Sequence, residues 1–207
     1  SAALQAAGQV HCAFVFDADI LDALPDRADR RVEFIHTSVA ALKAEMEARG
    51  GGLHVLQGSA RQAIPELAAR LGVEAVFAAR DYEPFARERD AAVARSLAAD
   101  GSDFHLVKDQ VIFDTDEILT AAGKPFHVFT PYKRAWLGRA DAAALAEHPV
   151  EEWLHRLAPG VGEAMPSLAE LGFQNTNLHE LGIVPGEAGG HLRWQDFQGR
   201  MDRYRKT

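Results

Sequence analysis

The chain has 207 residues, 47% of them hydrophobic and 25% charged, enough to bury one good core with a small appendage. Its formal net charge of -8 argues against the chain gripping a phosphate backbone by itself, because nonspecific DNA affinity comes mainly from lysine and arginine. A single cysteine, Cys12, excludes a disulfide framework and fits a reducing, cytoplasmic compartment, and no run approaches the roughly 18 apolar residues that span a bilayer.

Residues 1–7 read as a helical fragment closed by Gly8, with no strand in front of it. In an alternating sheet the first strand precedes the first helix and sits near the middle, so a first strand is expected to be missing from this stretch. Residues 10–16 form a strong strand, and Asp17 and Asp19 after it read as an Asp-rich turn. A helix over residues 31–49 follows, with Val32, Ile35, Val39, Leu42 and Met46 three and four apart. Gly50, Gly51 and Gly52 stop it, and because they follow a helix instead of opening one, a phosphate-loop role carries little weight.

Residues 53–57 are the next strand, and Ser59 is expected to cap a helix that runs to residue 71 and ends at Gly72. Residues 73–79 make a third strand, 84–99 a helix opened by Pro84, and 103–107 a fourth strand. This alternation predicts an α/β fold with a doubly wound parallel sheet. Beyond residue 107 the texture changes: apolar runs at 111–113 and 126–129 are split by a Gly-Lys-Pro turn, and Thr130-Pro131 can open a helix carrying Tyr132, Lys133 and Trp136. Residues 140–190, rich in Pro, Gly and Glu, read as a connector with helical pieces over 150–157 and 166–171. A last helix is expected over 190–204, ending in a basic cluster of Arg200, Arg203, Arg205 and Lys206. The expected division is an α/β domain over 1–137 and a connector over 138–207.

Self-contained catalytic motifs are missing from the sequence. It carries no G-x-S-x-G elbow, no P-loop and no G-x-G-x-x-G, and His148 and His155 are too far apart for an H-x-x-x-H metal pair. A hydrolase or dehydrogenase complete in itself is therefore not expected. The informative stretch is residues 73–90, VEAVFAARDYEPFARERD, where an apolar strand runs into a charged turn and then a helix. Ligands of open parallel sheets bind where strands end and helices begin. The plainer reading is a solvated helix start, with Pro84 in the first turn and Arg87 and Arg89 exposed.

The run RDYEPFARERD at 80–90 resembles the N-terminal antenna domain of DNA photolyases and cryptochromes, where an E-P-[YF]-x-x-x-R-D pattern follows a central strand. GKPFHVFTPYKRAW at 123–136, MPSLAELGF at 165–173, and VPGE and WQDF near the end agree in order, so the resemblance covers nearly the whole chain. It implies a Rossmann-like antenna domain of a deoxyribodipyrimidine photolyase, a DNA-repair lyase whose FAD lies in a C-terminal helical domain. The stretch alone is then expected to be inactive and to hold no catalytic residue. A cryptochrome-type photoreceptor and, from another class, a free-standing nucleotide-binding α/β module are the alternatives.

The resemblance further implies a cleft that holds an antenna chromophore. Asp81 and Glu83 suit the polar contacts, Phe85 the planar one, and Arg31 resembles an arginine lining the same cleft in deazaflavin-binding relatives. Surface charge or a helix cap is an equal reading for each. Folate-carrying relatives have Asn-Glu where this chain has Phe85-Ala86, so a flavin or deazaflavin is expected over a folate, with an empty cleft as a third outcome. The implied partners are the chain's own FAD domain and, only through the full-length protein, damaged DNA; no metal and no membrane are implied, and the protein is expected to be a monomer.

Overall fold

The computed structural model describes residues 2–160 and 164–202. Arg203, Arg205 and Lys206 of the expected basic cluster lie outside the described residues. Along the chain run α1 (Ala2–Ala6), β1 (Cys12–Asp17), α2 (Ala18–Leu21), α3 (Arg30–Ala48), β2 (Leu53–Gly58), α4 (Ala60–Leu71), β3 (Ala75–Ala79), α5 (Pro84–Ala99), β4 (Asp103–Val107), α6 (Phe129–Arg139) and α7 (Gly186–Gln198). They form two compact units: one takes residues up to 6 and 64–152, the other residues 7–63 and the chain from 153 onward.

In the second of these, β1 and β2 pair in parallel from Cys12↔Leu53 to Asp17↔Gly58. β1 (CAFVFD) carries Phe14, Val15 and Phe16, β2 (LHVLQG) carries Leu53, Val55 and Leu56, and their parallel pairing requires a helical crossover, which α3 supplies. Asp29 caps α3 by accepting from the Arg31 N–H at 2.8 Å, and Gly50, at φ 82, ends it in a left-handed conformation. Val32 and Val39, two turns apart, are buried against Phe16, Leu53 and Val55. Leu168, Leu171 and Phe173 of the returning connector complete this core, and His36 Nε2 donates to the Pro166 carbonyl at 2.8 Å. Gly52 is required by close approach: a Cβ there would lie 2.0 Å from the backbone nitrogen of Gly160. Cys12 packs against this core, and burial pushes its thiol pKa up, which fits a small apolar residue better than a reactive thiol.

In the other unit, β3 and β4 pair in parallel from Ala75↔Asp103 to Ala79↔Val107. The crossover is α5, whose buried residues Ala86, Asp90, Val93 and Leu97 are spaced four, three and four apart and so share one face. Val93 and the fully buried Leu97 pack with Ala68, Ile64, Val73, Val76 and Phe104.

The expected α/β architecture with parallel strands is present. Among the described residues its strands form two two-stranded ladders, β1–β2 and β3–β4. Several local expectations change. The helix expected to open at Thr130-Pro131 begins one residue earlier, at Phe129, as α6. Residues 166–171 make a turn rather than a helix, closed by Phe173 N–H to Leu168 O at 2.8 Å, because Gly172 at φ 80 ends it after one turn. Residues Glu151–Arg156 are a 3-10 helix, and a second one, Leu178–Leu181, had no anticipating signal beyond Gly182 after it. The last helix starts four residues earlier than expected because the extended Pro185 (φ -67, ψ 157) leads directly into it.

Candidate functional site

The β3 ladder extends one bond past the strand, from the Arg80 N–H to the Val107 carbonyl at 2.8 Å, and the chain then turns into α5. Asp81 Oδ1 accepts from the Glu83 N–H at 3.1 Å, bridging the turn. That bond, then the Tyr82 N–H, the Arg89 charge and the Gln110 side chain, hold the Asp81 carboxyl below the usual carboxylate range. Glu83 occupies the N-cap position with extended backbone (φ -64, ψ 140), is exposed, and makes no side-chain cap bond. Pro84 follows at the first helical position, where its missing N–H removes nothing. Phe85 keeps 38% of its surface exposed, whereas Ala86 is buried to 3% and offers a ligand no surface.

A polar network beside the turn pins the loop after β4. Tyr82 donates to Asp114 Oδ1 at 2.9 Å, and the Arg80 guanidinium meets Asp114 Oδ2. The Thr115 N–H and the Tyr82 hydroxyl lower the Asp114 carboxyl's pKa, while burial and then Asp114 raise that of the Tyr82 phenol. Glu117 accepts from Lys108 at 2.7 Å and from the Asp114 N–H, and Arg139, stacked 5.7 Å over Phe113, donates to the Glu117 carbonyl. The network joins residues up to 34 apart, so spacing in the sequence carried no sign of it.

Arg31 belongs to the β1–β2 unit, whereas Asp81, Glu83 and Phe85 share one turn in the β3–β4 unit. Its side chain is 73% exposed and forks onto Asp29 through Nε at 3.0 Å and Nη2 at 2.5 Å. The Arg31 guanidinium holds the Asp29 carboxyl down to about 2. Beside it opens a cavity of about 560 Å³, lined by Asp26, Asp29, Arg30, Arg31, Thr176 and Asn177. Arg30 donates to Asn177 Oδ1 through Nε at 2.9 Å and Nη2 at 2.7 Å, so both guanidinium groups already have partners in the wall. The cavity is polar, and its two arginines are paired with Asn177 and with Asp29.

Two acids do more than the sequence suggested. Asp17 is buried to 6%, and its Oδ1 accepts from the Asp19 N–H at 3.1 Å and the Ala60 N–H at 3.2 Å, so it satisfies the starts of both α2 and α4. The expected Ser59 cap is corrected: the Ser59 hydroxyl donates instead to Asp19 Oδ2 at 2.9 Å, since Asp17 already serves the α4 start. Among the described residues no group of three or more His, Cys, Asp or Glu could hold a metal, and no helix is long and apolar enough to cross a membrane.

These features define a parallel-stranded α/β domain with a charged and aromatic strand-to-helix turn. A family model described as DNA photolyase matches residues 1–152. A deoxyribodipyrimidine photo-lyase of Synechococcus sp. is 32% identical over 193 residues, covering 90% of this chain and 39% of that protein. A bacterial class III photolyase from Agrobacterium tumefaciens superposes with a TM-score of 0.74 at 25% identity, over 95% of this chain and 40% of that one. An archaeal photolyase from Sulfolobus tokodaii, solved with two FAD molecules and described as implicating a novel light-harvesting cofactor, has a TM-score of 0.50 at 25% identity over 54% of this chain and 26% of that one. The chain belongs to the DNA photolyase family, and it spans about two fifths of the length of the Synechococcus relative.

Proposed function

We propose that this chain is the antenna domain of a light-driven photolyase that repairs cyclobutane pyrimidine dimers through FAD bound in a further, helical domain. The observation that carries this reading is the 32% identity, across 90% of the chain, with a protein named deoxyribodipyrimidine photo-lyase. The same reading makes 1–137 the antenna domain and 138–207 the connector, in a monomeric cytoplasmic protein that meets damaged DNA through the FAD domain.

A bound antenna chromophore absorbs light and passes the excitation to FAD; the chain's part is to hold and orient it. Asp81 is kept ionised by the Glu83 N–H, so its second oxygen can accept a hydrogen bond from a ring N–H or hydroxyl. The half-exposed Phe85 ring offers a flat apolar contact, and the exposed Glu83 carboxylate a second polar one. Arg31, in the β1–β2 unit and forked onto Asp29, enters this reading through the family resemblance alone. Phe85 and the buried Ala86 provide no hydrogen bonds for a pterin, which favours a flavin or deazaflavin over a folate. The Sulfolobus neighbour, with its two FAD molecules, supports the flavin side of that choice.

The test is to purify the full-length protein, identify its released chromophores by mass, and assay repair of a dimer-bearing oligonucleotide under blue light. A flavin or deazaflavin in addition to FAD, with light-dependent repair, is expected. A stoichiometric folate, or FAD alone, overturns the chromophore assignment; bound FAD without repair overturns the lyase assignment in favour of a photoreceptor.

A further inference from the structure

Asp114 lies in the loop after β4, with only 11% of its side chain exposed. Two residues of the turn between β3 and α5 converge on it: the Tyr82 hydroxyl donates to Oδ1 at 2.9 Å and Arg80 Nη1 to Oδ2 at 2.5 Å. Asp81 is the residue between those two donors.

The anchor is itself held from several directions. The Thr115 N–H donates to Asp114 Oδ1 at 2.8 Å, and the Asp114 N–H donates to Glu117 Oε2, which also accepts from Lys108 at 2.7 Å. Arg139 of α6 donates to the Glu117 carbonyl, so the loop is tied both to the residue that follows β4 and to a helix. On the other side of the contact, the Arg80 N–H is fixed to the Val107 carbonyl at 2.8 Å. Both neighbours of Asp81 are thereby fastened to one enclosed carboxylate. The Asp81 carboxyl then keeps a single setting, accepting the Glu83 N–H on Oδ1 at 3.1 Å, with Gln110 of the same loop bonded to it as well. A charged group set in place before its ligand arrives loses less freedom on binding.

We propose that Asp114 is the positioning residue of this turn: through Arg80 and Tyr82 it sets the direction in which Asp81 presents its carboxylate, and it does so without meeting the ligand itself. Its effect on a chromophore rests on the reading of the turn as the antenna site; its hold on Asp81 does not.

The first measurement is the pKa of Asp81 by carbon-detected NMR, in the full-length protein freed of any antenna chromophore, with Asp81→Asn identifying the signal. Asp114→Ala should raise that pKa, because the Glu83 and Tyr82 N–H bonds that hold it down loosen with the turn. Charge alone would act the other way, since losing a neighbouring carboxylate and freeing the Arg80 guanidinium both favour an ionised Asp81. A fall, or no change, would overturn the positioning role. Tyr82→Phe removes one hydroxyl and leaves every charge in place; it should raise the Asp81 pKa by a smaller amount, and an unchanged value there would overturn the role even if Asp114→Ala failed to fold. The second measurement is uptake of riboflavin or its 5-deaza analogue. Asp114→Ala should bind about fivefold more weakly at unchanged FAD content, and Asp114→Asn, which keeps an acceptor for the Tyr82 hydroxyl, should recover part of the loss. Equal affinity in Asp114→Ala would overturn the role. Uptake of neither compound by the unaltered protein would overturn the flavin reading of the site, and the Asp81 titration would still decide whether Asp114 positions the turn.

Discussion

The two strand pairs share a βαβ plan and differ in what covers them. β2 opens with three buried residues in succession, Leu53, His54 and Val55: Leu53 and Val55 share the core with Val32 and Val39 of α3 and with Leu168, Leu171 and Phe173 of the returning segment, and His54 lies against His11. β3 has no fully buried residue, and the core above it reduces to Ala68, Val93 and Leu97. The same apolar strand chemistry therefore reaches burial only where a distant segment returns to complete the layer. The less covered unit is the one that carries the charged and aromatic turn at residues 80–86, in keeping with binding residues on loops held by a scaffold.

The sharpest challenge to this comparison is Phe173→Ala. Phe173 is 3% exposed in the larger core, with Arg27 stacked 5.1 Å over its ring. Urea unfolding should show a loss of about 3–5 kcal/mol; a loss under about 1 kcal/mol would mean the returning segment is not part of that core.

Leu97→Ala probes the smaller core. Leu97 is completely buried, yet fewer elements surround its cavity and can hold it open, so the loss should fall toward the lower end of about 2–5 kcal/mol. A loss larger than that of Phe173→Ala would reverse the ranking of the two cores.

A smaller effect is expected at the turn. Asp81→Ala removes the acceptor of the Glu83 N–H and should lower the urea midpoint less than either core substitution does, while Asp81→Asn, which keeps an acceptor oxygen, should lower it less again. In the full-length protein both should weaken chromophore retention, because both remove the charge. Full retention in Asp81→Asn, measured by absorbance after gel filtration, would reduce Asp81 to a turn residue.

The smallest expected effect is a titration in the β1–β2 unit. The Asp29 carboxyl falls from 3.8 to about 2 on folding, so its contribution is fully present above pH 3.8 and is lost as pH falls through about 2. In Arg31→Ala, carbon-detected NMR should find the Asp29 pKa raised toward its ordinary value. An unchanged pKa would show that the Arg31 N–H and the helix start, rather than the guanidinium, hold the charge.

What the sequence determined by itself is whatever depends on neighbours a few residues away. Pro84 opening α5, the span of β4 at 103–107, the body of α3 and the glycine stop after it were all legible, since caps, φ preferences and apolar periods act within a turn or two. The four motifs in order also carried the family. The tertiary structure alone decided whatever needed a distant partner. Ser59 reads as a cap until Asp17, 43 residues before Ala60, takes that role and Asp19 takes the serine hydroxyl. Residues 166–171 read as a helix until Leu168 and Leu171 are drawn into the β1–β2 core as a single turn. Arg31 and Asp81, linked by resemblance, fall in different compact units, and Asp90, which ends the charged run at 80–90, lies on a buried face. Side-chain partners and burial follow from how far-apart segments pack, and no local period encodes that.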